Sequence, residues 1–275
     1  AFGHDVIGVG DVNGDGYDDI AIGALSSTSA YVYHGSSAGL DSTAATSITS
    51  TGYRFGEKLA AGDANGDGYD DLAVAAGIWS SYTGMVQVFE GSRSGIATSY
   101  SSVFHGTYSG TYFGNGLAFC DVDGSGFDDL LIGEYDYNYG RVYVYDGAAT
   151  GLPSSASSYH DGVSYYDNFG EHVECAGDAD GDGYDDLFIA SLEVELWLGS
   201  SGGLTTGSTL SSLDAVPAVA GDVDGDGYND ALVSSYELVE VHYGYSGAPD
   251  ADGDGSPSTS DCDDGDATVY PGAEE

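Results

Sequence analysis

The chain has 275 residues, enough for one large domain or a large one plus a small one. Four basic residues (Arg54, Lys58, Arg93, Arg141) stand against 46 acidic ones, a formal net charge of -42. That balance excludes nucleic acid and anionic membrane surfaces as partners, and no apolar run approaches the roughly 20 residues of a membrane-spanning helix.

Taken in order, the chain opens on Phe2-Gly3 and reaches an acidic loop that recurs five times. The first copy carries Asp11, Asn13, Asp15, Tyr17 and Asp19 at positions 1, 3, 5, 7 and 9. The others carry Asp63, Asn65, Asp67, Tyr69 and Asp71; Asp121, Asp123, Ser125, Phe127 and Asp129; Asp178, Asp180, Asp182, Tyr184 and Asp186; and Asp222, Asp224, Asp226, Tyr228 and Asp230. Side-chain oxygens at 1, 3, 5 and 9, with the backbone carbonyl of position 7, can converge on one hard cation, and the Gly after position 5 permits the sharp turn. A plain turn needs a Gly and one Asp; it does not need repeated carboxylates that would repel one another without a cation. An EF-hand loop would continue to a Glu at position 12 between helices. Here an apolar run such as Ile20-Ala21-Ile22 follows at once and reads as a strand.

First ligands are spaced 52, 58, 57 and 44 residues apart, a period near 50 that points to a propeller or similar array. Each unit opens with Phe-Gly (Phe2-Gly3, Phe55-Gly56, Phe113-Gly114, Phe169-Gly170), and the fifth offers Leu213 instead. A short strand leads into the loop and a second leaves it, as in Leu72 to Ala75 and Leu130 to Gly133. A third alternates apolar and polar, as in Met85 to Gly91 and Arg141 to Gly147. A Ser/Thr-rich fourth follows, as in Ala45 to Ser50 and Thr98 to Phe104. Four short antiparallel strands make one propeller blade. The expectation is an all-β chain. A propeller would occupy 1–247, in repeats of about 1–52, 53–110, 111–167, 168–211 and 212–247, with an acidic tail over 248–275.

The Phe-Gly openings, the Asp loops, Gly23-Ala24 and third strands such as Val142-Tyr143-Val144-Tyr145-Asp146-Gly147 resemble the FG-GAP repeat of integrin α-subunits and related bacterial secreted proteins. The resemblance covers about residues 1–245. It implies a calcium-bearing propeller, commonly seven-bladed, with the residues at positions 1, 3, 5, 7 and 9 as ligands, about five calcium ions in the propeller. Ser125 departs from the pattern by losing a charge, which marks the third site as the weakest. Five units leave two readings open: a trimmed ring, or five blades completed by a non-local segment. The tail, with Asp250, Asp252, Asp254, Ser256 and Asp261 followed by Cys262 and Tyr270-Pro271-Gly272, resembles a thrombospondin type 3 repeat and an Asp-rich metal-binding motif, implying one or two further calcium ions and a truncated end.

The three cysteines are too few for a disulfide scaffold. For Cys120 and Cys175 buried free thiols are the leading expectation and a bridge between blades the alternative. The six histidines form no zinc or hydrolase motif, and His4 and His172 are expected to pack between blades. No catalytic residue is identified. In an up-and-down blade, the connections between strands two and three, and between blades, share the face opposite the acidic loops. They hold Tyr53, Trp79, Tyr82, Tyr108, Tyr112, Tyr135, Tyr137, Tyr139, Tyr165 and Tyr166, residue types favoured on recognition surfaces. The expected function is calcium-dependent adhesion at or outside the cell surface. The partner would be an extracellular protein or glycan, with no direct membrane insertion. The alternatives are a sugar-binding lectin, or a structural fibre subunit that assembles with copies of itself or with further domains.

Overall fold

The computed structural model describes residues 2–78, 83–107, 110–135, 139–163, 168–190, 193–212, 216–225, 228–234 and 239–244. These form five antiparallel sheets in succession. Blade 1 comprises β1 (Phe2–Gly8), β2 (Ile20–Ala24), β3 (Ser29–Tyr33) and β4 (Thr46–Thr49). Blade 2 comprises β5 (Tyr53–Gly62), β6 (Asp71–Ile78), β7 (Met85–Phe89) and β8 (Ser102–His105). Blade 3 comprises β9 (Leu117–Cys120), β10 (Asp129–Glu134), β11 (Arg141–Tyr145) and β12 (Ser158–Asp161). Blade 4 comprises β13 (His172–Gly177), β14 (Asp186–Ala190), β15 (Glu193–Leu198) and β16 (Thr205–Ser212). Blade 5 has three strands among the described residues, β17 (Val216–Gly221), β18 (Asp230–Ser234) and β19 (Val239–His242). One short 3-10 turn, Leu25–Ser27, interrupts the β pattern. The array is a β-propeller.

The strands alternate their side chains between two neighbours, so the core is a series of layers between blades rather than one centre. Val32 and Ile48 of blade 1 meet Leu72, Val74 and Phe89 of blade 2. Val86, Val88 and Phe104 of blade 2 meet Leu130, Ile132 and Tyr145 of blade 3. Leu131, Val142 and Val144 of blade 3 meet Leu187, Ile189 and Trp197 of blade 4. The connection from third to fourth strand adds a plug. Ile96, Leu152 and Leu204, each after a Gly with positive φ, pack into the layers shared with the preceding blades.

The Phe-Gly openings have a steric reason. Phe55, Phe113 and Phe169 are buried, and the glycine after each lies against the preceding blade. A Cβ built on Gly23 would stand 2.0 Å from the carbonyl oxygen of Gly56, and one on Gly133 would stand 1.9 Å from that of Gly170. Backbones approach there more closely than any side chain allows.

Among the described residues the two ends of the array are uncovered. Phe2 is 60% exposed where Phe55 is 0%, Leu40 is exposed where Ile96 is buried, and Val241 of blade 5 is exposed where Val144 is buried. Five first strands nonetheless surround one axial cavity of about 140 Å³, lined by Asp5, Lys58, Asn115, His172, Glu174 and Val216 among others. Two histidine expectations are corrected here: His4 is exposed, and His172 lines the axial cavity instead of lying between blades. The thiol expectation is corrected as well. Cys120 on β9 and Cys175 on β13 form a disulfide across blades 3 and 4, with Cα atoms 5.4 Å apart. Both strands turn a cysteine into the same inter-blade layer, which makes the bridge possible.

Candidate functional site

Each acidic loop joins the first two strands of its blade and is built by its own side chains. In loop 1, Asp11 accepts hydrogen bonds from the N–H groups of Asp15 (3.0 Å) and Gly16 (2.6 Å), and Asp15 accepts from Tyr17 (3.1 Å). Loop 2 repeats this with Asp63 accepting from Asp67 and Gly68, and Asp67 from Tyr69. Loop 4 repeats it with Asp178, Asp182, Gly183 and Tyr184. In loop 3 the hydroxyl of Ser125 stands 3.4 Å from both Asp121 Oδ1 and the carbonyl of Phe127, which places positions 1, 5 and 7 around one point.

Position 9 is buried and ties the loop to the end of the third strand. Asp19, Asp71, Asp129, Asp186 and Asp230 accept the N–H of Gly35, Gly91, Gly147, Gly199 and Gly244 at 2.7–3.0 Å. The second oxygen of Asp129, Asp186 and Asp230 accepts the N–H of position 2: Val122, Ala179 and Val223.

These contacts bring positions 1, 3 and 9 together. Asp121, Asp123 and Asp129 each offer an oxygen within 4.8 Å of the others, as do Asp178, Asp180 and Asp186, and Asp222, Asp224 and Asp230. Loops 1 and 2 carry an amide at position 3, and Asn13 and Asn65 lie 3.4 Å from a carboxylate oxygen of Asp19 and Asp71. Burial pushes Asp71, Asp129 and Asp186 up to about 7, against the opposing hydrogen bonds from Gly91, Gly147 and Gly199. At Asp11, where burial also pushes upward, the N–H groups of Gly16 and Asp15 prevail and hold the carboxyl below its ordinary range. The donor set is oxygen throughout, which fits a hard divalent cation and not a soft one. Asp226 and the tail residues Asp250, Asp252, Asp254, Ser256 and Asp261 lie outside the described residues.

Two contacts that the spacing did not reveal, made by the ring at position 7 and by the acid at position 8, link the loops to one another. The ring at position 7 covers the Gly at position 4 of the preceding loop: Tyr69 on Gly14, Phe127 on Gly66, Tyr184 on Gly124 and Tyr228 on Gly181. The acid at position 8 accepts the N–H that opens the preceding loop, Asp63 to Asp128 and Asp121 to Asp185. The recurrence of Asp18, Asp70, Asp128 and Asp185 beside each position 9 was the available signal.

On the opposite face, Tyr112 and Tyr135 stack with ring centres 5.0 Å apart and planes at 12°. Tyr139 and Tyr53 are exposed. The structure thus groups Tyr112 and Tyr135, while Trp79, Tyr82, Tyr108, Tyr137, Tyr165 and Tyr166 lie outside the described residues. Beside Tyr135 the fully buried Glu134 accepts hydrogen bonds from Thr111 (2.5 Å) and Tyr143 (2.7 Å). Arg141 is held by Asp161 through two hydrogen bonds and lies 3.8 Å over the ring of Tyr159.

Comparison with known proteins agrees with this geometry. Residues 11–74 match the model of the FG-GAP-like repeat. Integrin alpha-PS2 of Drosophila melanogaster is 32% identical over 149 residues, covering 50% of this chain and 10% of that protein. Integrin alpha-IIb of Homo sapiens is 31% identical over 176 residues, covering 54% of this chain and 16% of that protein. The chain therefore spans a small fraction of the integrins it matches. Among solved structures, an exotype rhamnogalacturonan lyase, YesX, superposes with a TM-score of 0.53 at 14% identity, over 90% of this chain and 48% of that one; this likeness is of fold alone. Residues 11–74 thus match an FG-GAP-like repeat, about half of the chain is similar to integrin α-subunits, and the successive sheets are the blades of a β-propeller.

Proposed function

We propose that the chain is a calcium-dependent extracellular binding module, in which the acidic loops hold calcium and stiffen one face while the aromatic face recognises a protein or glycan. The observation that carries the calcium reading is the convergence of positions 1, 3 and 9 within 4.8 Å in three separate loops. Three carboxylates so close, one of them buried, repel one another unless a cation lies between them. The ligands are the residues at positions 1, 3, 5 and 9 of each loop, with the carbonyls of Tyr17, Tyr69, Phe127, Tyr184 and Tyr228. About five ions bind, with affinities of roughly 10⁻⁵ to 10⁻³ M suited to extracellular calcium. Ser125 leaves the third site the weakest. The tail holds one or two more.

Secretion or surface display accords with the disulfide between Cys120 and Cys175, a bond typical of oxidising compartments. The role is binding rather than catalysis. Calorimetric titration of the metal-free chain with calcium tests the reading: about five ions should bind and the melting temperature should rise. A chain that binds none, or melts identically in chelator and in calcium, refutes it. For the aromatic face, alanine at Tyr112, Tyr135 and Tyr139 should abolish capture of a cell-surface extract without lowering the melting temperature.

A further inference from the structure

The blades are not interchangeable at their outer strands. Leu130 pairs with Tyr145 in blade 3, and Leu187 pairs with Trp197 in blade 4, which makes Trp197 the counterpart of Tyr145 and Glu195 the counterpart of Tyr143. Across the next ladder Tyr143 faces Tyr159, and Glu195 faces Thr209. In blade 3 the two tyrosine rings lie 6.4 Å apart with Arg141 over Tyr159, so aromatic side chains cover that surface. In blade 4 a carboxylate and a threonine stand in their places. A cleft of about 310 Å³ opens there between blades 3 and 4.

Its lining is mixed in a particular way. Trp197, 8% exposed, supplies the aromatic surface, with the buried ring of Phe169 beside it, centres 5.6 Å apart and planes tilted by 54°. His160 backs the indole from blade 3 with ring centres 4.9 Å apart, which fixes the indole plane. The indole N–H donates to Glu195 Oε2 at 2.8 Å, so the carboxylate is held in one orientation. Thr206, Ser208 and Thr209 of β16 are exposed and add three hydroxyls along one wall. Ligand pockets run from roughly 300 to 1,000 Å³, so this one is sized for a single ring and not for a chain. An aromatic floor with a fixed carboxylate and several hydroxyls matches a ring that has an apolar C–H face and a polar rim. Glu195 and a chain charge of -42 oppose anionic ligands, Asp161 at the lip being paired with Arg141.

We propose that this cleft binds one neutral hexopyranose unit, with the sugar's C–H face on the accessible part of Trp197 and its hydroxyls on Glu195 and the β16 hydroxyls. The proposal deepens the reading of the propeller as a binding module and rests on it; it places one recognition site between blades, apart from the Tyr112–Tyr135 stack.

The test is saturation-transfer NMR and calorimetry on the full chain in calcium buffer, with the methyl glycosides of glucose, galactose and mannose and with methyl glucuronide. At least one neutral glycoside should bind with a millimolar Kd, and the glucuronide at least about tenfold more weakly. Thr209→Tyr, which restores the ring that blade 3 carries, should abolish binding. Glu195→Gln, nearly isosteric and safe for folding, should weaken it about fivefold to tenfold. Absence of binding by all three neutral glycosides, glucuronide binding as tight as theirs, or unchanged binding by Glu195→Gln overturns the proposal. The calcium titration separates the two readings. Normal calcium uptake with no sugar bound sinks the cleft alone, and lost calcium uptake sinks the module reading.

Discussion

The carboxylate of Asp128 accepts a hydrogen bond from the backbone N–H of Asp63 at 2.7 Å, reaching from one blade to the loop of the blade before it. The same reach joins Asp185 to Asp121. In the fifth repeat the position holds Asn229, whose amide lies where a Cβ on Gly177 would be. The acidic loops are therefore not independent hairpins. Loops 2 and 3 are closed from behind by the next blade, so order in one loop depends on docking of its neighbour.

This relation separates two substitutions that look alike. Asp128→Ala leaves the Asp63 N–H without its acceptor and should cost about 1–3 kcal/mol. Asp128→Asn keeps an acceptor oxygen, removes one charge from a crowded acidic face, and has its precedent in Asn229. It should cost less than about 0.5 kcal/mol. Urea unfolding in saturating calcium measures both. Equal losses for the two would mean that the charge, and not the hydrogen bond, is what matters at this position.

Gly133→Ala tests the close approach between blades. Gly133 has no positive φ, so alanine suits its backbone, yet the added Cβ would meet the carbonyl oxygen of Gly170 at 1.9 Å. Overpacking against backbone cannot be relieved by a rotamer change, and a loss of about 2 kcal/mol or more is expected. Gly126→Ala provides the contrast. Its φ is +82° with nothing within 4 Å, so only backbone strain of about 1 kcal/mol applies. Thermal melts of the two variants should rank in that order.

Much of this architecture was readable in the residues because it repeats. Five copies of one oxygen spacing mark positions 1, 3, 5 and 9, and the alternation of Val142 to Tyr145 marks a strand whose two faces meet two neighbours. What escaped were contacts between repeats. Asp128 and Tyr69 look like ordinary loop residues until the neighbouring blade is in place. The disulfide needed the face of each strand, and an irregularity between Cys175 and Gly177 hides which side Cys175 takes. The cleft beside Trp197 exists only by comparison of registers, since Glu195 and Thr209 are unremarkable in an acidic, Ser/Thr-rich chain.

The Cys120–Cys175 bridge closes a loop of 55 residues and staples two first strands at the propeller's axis side. Constraint of the unfolded chain by such a loop gives about 2–4 kcal/mol. Paired serine substitution should lower stability by that amount in denaturant titration, with the calcium stoichiometry unchanged. A fall in the number of bound ions would show that the bridge also shapes loops 3 and 4.

Without metal, the stability of the chain should depend on pH. Burial raises Asp71, Asp129 and Asp186 from an ordinary 3.8 to about 7, and raises Asp70 to about 6 with help from the charges of Asp128 and Asp63. Between about pH 4 and 7 the folded chain then holds protons that the unfolded chain has released. Stability contributed by these groups is full below about pH 4 and is lost as pH climbs through 7. Asp11, held below its ordinary value, acts in the opposite sense only in more acidic solution. Metal-free protein should accordingly melt at a lower temperature at pH 8 than at pH 5. Calcium reverses the logic, because it binds the ionised carboxylates and replaces the protons that burial retains. In millimolar calcium the melting temperature should hold or rise over the same interval, and the calcium-induced shift should be larger at pH 8 than at pH 5. A metal-free melting temperature that rises from pH 5 to 8 would mean these carboxylates are solvated or paired in a way that the packing around Asp71, Asp129 and Asp186 does not allow.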